Sequence, residues 1–284
     1  MKKLSLLLAT VFICLATMAQ DSTKVDTVRI GNILIIKKKG AGDKKWDDTE
    51  VKLGRKQRNK PSNVTTNWWI VDLGFAGFDD QTNYASVPSG YLATRTPLLG
   101  ANDFKLRTGK SMDVNIWFFM QRLNLAKHYV NLEYGLGLEL NNYRFKSNIS
   151  FKENGPYLPY TSTTGSYIIR DSIAFSKNKL AADYLTVPLM INFRSNPVYK
   201  NRGVSLSAGV SAGYLYSQRN KQKSSERGKD KNKGDYDMER FKFSYVAELG
   251  LGPVRLYGSY SPKSMFSTGL DFKPFTVGLR LSNW

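Results

Sequence analysis

The sequence predicts an all-β protein: an eight-stranded antiparallel transmembrane β-barrel, an up-and-down meander with a flexible N-terminal leader. Two observations predict it. After residue 66, eight segments alternate apolar and polar residues at period two, the spacing that separates the faces of a strand. Some run well past the five or six residues usual in soluble sheets. The connections between them alternate between short and long, which gathers tight turns at one end and long loops at the other, the layout of bacterial outer-membrane barrels.

The segments follow in order. Residues 67–78 set Trp69, Val71, Leu73 and Phe75 against Asp72, Gly74 and Ala76. Residues 111–123 alternate less cleanly, with Val114, Ile116, Phe118 and Met120 opposite Asp113, Asn115 and Gln121. The third, VNLEYGLGLELN at 130–141, is unbroken: its leucines, Val130 and Tyr134 take one face, and Asn131, Glu133, Gly135, Gly137, Glu139 and Asn141 take the other. The fourth places Leu185, Val187, Leu189, Ile191 and Phe193 together, opposite Thr186, Pro188, Asn192 and Arg194. The fifth gathers Val204, Leu206, Ala208, Val210 and Ala212 against serines and glycines. The sixth turns Phe241, Phe243 and Tyr245 outward and Lys242, Ser244 and Glu248 inward. VRLYGSYS at 254–261 is a shorter seventh. The eighth sets Phe275, Val277, Leu279 and Leu281 against Gly278, Arg280 and Ser282. Long connections span 79–110, 145–180, 218–240 and 262–273.

A soluble sandwich or lipocalin-like barrel would turn its polar faces to water. Here those faces hold too much Gly and Ser for a solvated surface, and carry charges of both signs. Asp72, Asp113, Glu133, Glu139, Arg194, Lys242, Glu248 and Arg280 are therefore expected to converge in a narrow lumen and pair across it. Aromatics form two expected girdles at the lipid–water boundaries: Trp68, Trp69, Tyr129, Tyr199 and Trp284 at the turn end, and Tyr143, Phe145, Tyr184, Tyr214, Tyr216 and Tyr260 toward the loops.

The start of the chain has its own logic. MKKLSLLLATVFICLATMAQ joins two lysines, an apolar run and small residues, the pattern of a secretory signal peptide spanning 1–19. Cys14, the single cysteine, lies inside that run, so the exported chain has no thiol for disulfides, metal binding or nucleophilic catalysis. Residues 20–66 form a basic periplasmic leader, with twelve Lys/Arg against six Asp/Glu between positions 21 and 66, and a strand-like run at 28–36. The barrel proper is expected over 67–284.

The chain resembles the PorT-like outer-membrane β-barrel proteins. The resemblance rests on the signal, on the leader DTVRIGNILIIKK, and above all on Tyr184-Leu185-Thr186-Val187-Pro188-Leu189-Met190-Ile191, where proline stands mid-strand, a position it otherwise avoids. It implies a small barrel of the Gram-negative cell envelope; one branch of the family is linked to a secretion and gliding apparatus. Barrels of this kind usually end on an aromatic in phase with the apolar face. Trp284 is out of phase with Leu279 and Leu281.

Candidate chemistry is sparse. His128, the only histidine, falls in a tight turn away from the long loops, where no outward-facing base can serve an enzyme of the outer surface. Glu133, Glu139 and Glu248 share the expected lumen with basic residues, so ion pairing outweighs acid–base work. Asp79-Asp80 and Asp235-Tyr236-Asp237 lack the spacing of a calcium loop. No cofactor is expected. The stretch RNKQKSSERGKDKNK carries Arg219, Lys221, Lys223, Arg227, Lys229, Lys231 and Lys233 in an expected mobile outer loop, suited to the phosphates of lipopolysaccharide and lacking the aromatics that stack nucleic acid.

An eight-stranded lumen is just wide enough for side chains. The sequence thus points to a non-enzymatic outer-membrane barrel acting through its loops and leader in envelope or secretion-system assembly. Its partners would be outer-membrane lipid, lipopolysaccharide and a protein held by the leader. The alternative is a small transport protein or channel for ions or a small hydrophobic ligand.

Overall fold

In the computed structural model the chain divides into two units, Met1–Lys60 and Pro61–Trp284. The described residues are 26–30, 33–37, 49–53, 62–88, 90–92, 98–153, 165–196 and 203–281. The expected signal peptide, Tyr199 and Trp284 lie outside them. In the first unit, β1 (Asp26–Ile30), β2 (Ile33–Lys37) and β3 (Thr49–Leu53) form an antiparallel sheet in that order. The strand-like run at 28–36 thus covers two strands that pair with each other from Asp26↔Lys37 to Ile30↔Ile33.

In the second unit eight strands close a ring: β4 (Val64–Asp80), β5 (Met112–Ala126), β6 (Val130–Arg144), β9 (Lys177–Arg194), β10 (Val204–Ser224), β12 (Phe241–Leu251), β13 (Val254–Tyr260) and β14 (Phe272–Leu281). Neighbours are antiparallel throughout, and β14 returns to β4 from Phe272↔Asp80 to Leu281↔Val71. Closure leaves no unpaired edge within lipid, as a membrane-spanning sheet requires. The connections include two more pairs of partners. β7 (Ile149–Lys152) pairs with β8 (Tyr167–Arg170), and β11 (Gly228–Lys233) extends β10.

Leu185, Val187, Leu189 and Phe193 on β9, Val204, Leu206, Val210 and Tyr214 on β10, and Phe275, Val277, Leu279 and Leu281 on β14 all face outward and are exposed. A continuous apolar belt around a sheet with a polar interior is the surface of a protein dissolved in lipid. At the turn end Ala126 to Tyr129 reverses the chain with both central residues, Lys127 and His128, at positive φ (47° and 63°), the twist a two-residue hairpin needs. Tyr129 N–H closes the turn on Ala126 O at 2.9 Å.

Two expectations about facing are corrected here. The pairing of β4 with β5 runs Trp68↔Phe119 and then Ile70↔Trp117, and that of β5 with β6 shifts at the same place. Trp69 sits at φ 56° there. The extra residue of a bulge moves every later side chain to the other face. Hence Trp68 and Trp69 both face lipid, while Met120 is fully buried inside and Gln121 is not. The loop-side girdle changes as well. Tyr214, Tyr216 and Tyr260 are exposed, but Tyr143, Phe145 and Tyr184 are almost fully buried inside the ring.

Those three rings belong to a second core. The long connections fold inward at the outer end and pack Tyr91, Phe104, Phe151 and Phe266 against them, together with Phe272 at the start of β14. Phe78 stacks on Phe272 with centroids 4.1 Å apart, and Phe104 meets Phe272 edge-on at 5.3 Å. Short bridges such as Leu106↔Phe145 and Met238↔Phe266 fasten the connections. The outer half is thus capped by an apolar core of ordinary globular type.

Candidate functional site: a filled lumen and a basic outer face

Every strand of the ring contributes to the lumen. At the closure seam Arg280 on β14 lies directly across from Asp72 on β4. Its Nε and one terminal nitrogen donate to the two Asp72 oxygens, both at 2.8 Å. The Trp117 indole N–H, from β5, donates to the same carboxylate at 2.7 Å. The remaining terminal nitrogen of Arg280 binds Glu248 on β12, whose other oxygen accepts from Arg255 on β13 at 2.7 Å. Planar guanidinium groups suit this bridging, because their donors fork at fixed angles.

Two more clusters lie at other depths. Toward the turns, Arg122 donates to Glu133 at 2.7 Å, and Ser207 on β10 completes that carboxylate at 2.9 Å. Toward the cap, Lys242 binds Glu139, which also accepts from Thr186 on β9 at 3.1 Å. Asp113 accepts from the Tyr257 hydroxyl and from Asn115. Glycines leave room for the larger groups. A Cβ on Gly137 would come within 2.7 Å of the Trp117 ring, and one on Gly135 within 2.9 Å of Met120. The alternating glycines of β6 therefore accommodate two inward side chains of β5.

Seven of the eight expected lumen residues meet in these clusters: Asp72, Asp113, Glu133, Glu139, Lys242, Glu248 and Arg280. Arg194 instead stands half-buried at the turn-end rim, near enough to feel the charge of Glu133 but with no ion pair among the described residues. Arg122, Trp117, Arg255 and Tyr257 were not expected. The bulge of β5 hides Arg122, whose phase it shifts, and the shortness of β13 hides Arg255 and Tyr257; Trp117 precedes the bulge and keeps the phase of Asp113 and Asn115, but an apolar ring carries no lumen signal. A cavity of about 30 Å³ remains between Asp72, Glu139 and Ser211, room for little more than a water molecule.

The basic stretch departs furthest from expectation. It is not a mobile loop. Strand β10 runs on to Ser224, turns, and returns as β11. Its inward side chains anchor it to the cap: Gln222 Nε2 donates to Ser150 Oγ at 2.7 Å, and Asn178 Nδ2 of β9 to Ile149 O at 2.6 Å. Its outward side chains are cations. Residues directly opposed in an antiparallel pair share a face. One row across four strands reads Arg144, Lys179, Lys221, Lys231; the next reads Lys177, Lys223, Lys229; and Arg219 opposes Lys233. Arg219 pairs with Asp183, whereas the lysines of the outer two rows have no ion pair among the described residues. Arg227, expected on this surface, is drawn away at the turn by Asp171 at 2.9 Å.

Between this face and the apolar belt lies an open groove of about 920 Å³. Leu138, Leu140, Tyr214 and Tyr216 line it together with Asp183, Asp235, Arg219, Lys233 and Arg240.

A closed antiparallel ring with a lipid-facing belt, a charged lumen and long connections at one end defines a bacterial outer-membrane β-barrel protein. The family described as outer membrane protein beta-barrel domain matches residues 80–281, and the chain belongs to it. Among solved structures the chain is similar to Ail, the attachment invasion locus protein of Yersinia pestis, at 13% identity over 76% of this chain and 98% of that one, with a TM-score of 0.30. The same values hold for Ail in complex with the heparin analogue sucrose octasulfate. A likeness at that level carries no argument about function. No curated protein matches.

Proposed function

We propose that the protein is a non-enzymatic contact protein of the outer membrane, of the PorT-like branch, which serves envelope or secretion-system assembly through its outer surface and its N-terminal leader. The observation that carries this reading is the filled lumen. All eight strands send side chains into it, the carboxylates there are held by cations or hydroxyls, and the cavity between Asp72, Glu139 and Ser211 measures only about 30 Å³. Such a lumen weighs against the transport alternative, and leaves the outer face and the leader as the surfaces that can meet other molecules. The position of His128, the single histidine, in the β5–β6 turn at the end opposite the long connections accords with the non-enzymatic part. The leader would lie in the periplasm, downstream of a cleaved signal.

Co-purification from native outer membranes in mild detergent tests it, with the full chain beside one lacking residues 21–60. A partner retained only by the full chain is the expected result. If both forms come out alone, the assembly role fails. Steady conductance of the full chain in planar bilayers, altered by Glu139→Gln, would return the transport reading.

A further inference from the structure

We infer that the cationic face of β6, β9, β10 and β11, with the groove beneath it, is a binding site for the phosphorylated glycolipid of the outer leaflet, lipopolysaccharide, seated beside the barrel.

Placing like charges directly opposite one another in a sheet is destabilising. Here Lys221 faces Lys231 across one strand pair and Lys179 across the other, and Lys223 faces both Lys229 and Lys177. Neighbouring strands stand about 4.8 Å apart and alternate residues about 6.7 Å, so the cations form a lattice of closely spaced charge rather than a diffuse basic region. The face is also held in shape. Asn178 and Gln222 on its reverse side are buried and bonded to β7. An ordered array of unneutralised ammonium groups on a rigid backing is complementary to a ligand with several fixed anionic groups.

Position selects which polyanion. Along the outward side of β9 the exposed Leu185 is followed by Asp183 and Ala181, both buried, and then by the half-buried Lys179; on β10 the outward residues change from Tyr214 and Tyr216 to Arg219 and Lys221. The lattice thus begins where the apolar belt ends, on the side of the long connections, which faces out in such barrels. That is the level of the glycolipid phosphates. The groove mixes both kinds of lining: its leucines and tyrosines suit acyl chains, and Lys233 suits phosphate, beside Arg219 and Arg240, whose charges are shared with Asp183 and Asp235 of the same groove. Tyrosine rings are at home at such a boundary. A soluble polyanion would need only the cations.

This inference rests on the outward orientation assumed above and is independent of any partner held by the leader. The test uses the full chain folded in zwitterionic detergent micelles. The probe is bis-phosphorylated lipid A, beside its dephosphorylated form and a sulfated polysaccharide. Lys221→Gln/Lys231→Gln and Lys223→Gln/Lys229→Gln are compared with the unaltered chain, and unheated against heated gel mobility verifies that each has folded. Bis-phosphorylated lipid A should bind the unaltered chain, and each double variant should lose on the order of tenfold in affinity. Removing the phosphates should cost at least as much, and high salt should weaken what remains. Equal binding by folded variants, or by dephosphorylated lipid, overturns the site. Tighter binding of the sulfated polysaccharide than of lipid A overturns the choice of ligand and points to a soluble polyanion instead.

Discussion

Arg280 and Asp72 join the last strand to the first, and both partners of their bidentate contact are almost fully buried. Breaking a buried pair by removing one partner leaves an uncompensated charge and costs about 3–5 kcal/mol, whereas replacing both can be nearly neutral. Arg280→Met should therefore lower the denaturant midpoint of the micelle-folded protein strongly, by about that amount. Adding Asp72→Asn should recover part of the loss, although Glu248 keeps only Arg255 in either variant. A double-mutant cycle on the unfolding free energies reads the coupling directly. If the two losses simply add, the seam is held by its backbone ladder and not by this pair.

Among the elements, those with unbroken alternation were legible in the sequence and those with a displaced residue were not. β6 shows its two faces over its whole length, because lipid on one side and tight packing on the other leave no tolerance for slippage. β5 hid Arg122 and Met120 because its bulge at Phe118 shifts the phase halfway along. The outer part of β10 read as a loop for another reason. Its alternation sets lysine against Asn220, Gln222 and Ser224, and a polar–polar alternation carries no apolar signal, although the buried amides are as firmly placed as leucines would be. This extension makes a pH-dependent prediction. Burial, reinforced by Lys221, Lys177, Arg219 and Arg144, pushes the Lys179 ammonium down to about 8, even with Asn142 accepting from it. Between that value and the ordinary lysine range, the unfolded chain holds a proton that the folded chain has released, so stability rises with pH across this window. Lys179→Met should remove that part of the slope. Unfolding midpoints measured from pH 7 to 10.5 test this, and identical slopes in the two proteins would rule it out. A bound phosphate favours the charged lysine, so lipid A affinity should change in the opposite direction and fall as pH rises through about 8.

At the scale of the whole barrel, two kinds of stabilisation are stacked along one axis. The membrane-spanning half is held by ladder hydrogen bonds and lumen ion pairs, and the outer half by an aromatic core that would suit a soluble domain. That core was not visible in the sequence, because Tyr91, Phe104, Phe151 and Phe266 come from connections with no periodicity and meet only after the ring has closed. The division has a measurable consequence. Phe272 touches both Phe78 and Phe104 at the floor of the cap, and truncating a buried Phe to Ala typically costs about 3–5 kcal/mol. Phe272→Ala should loosen the cap while the closed ladder beneath it survives. The expected result is faster proteolysis of the connections at 81–111 and 261–271, with the unheated gel mobility of the folded barrel unchanged. Loss of both together would mean that cap and ring fold as one cooperative unit. The same distinction bears on the basic face, since its backing residues bond to β7 within the cap. If the halves separate, Phe272→Ala should weaken lipid A binding without opening the lumen, because the ion pairs that fill it lie below the cap.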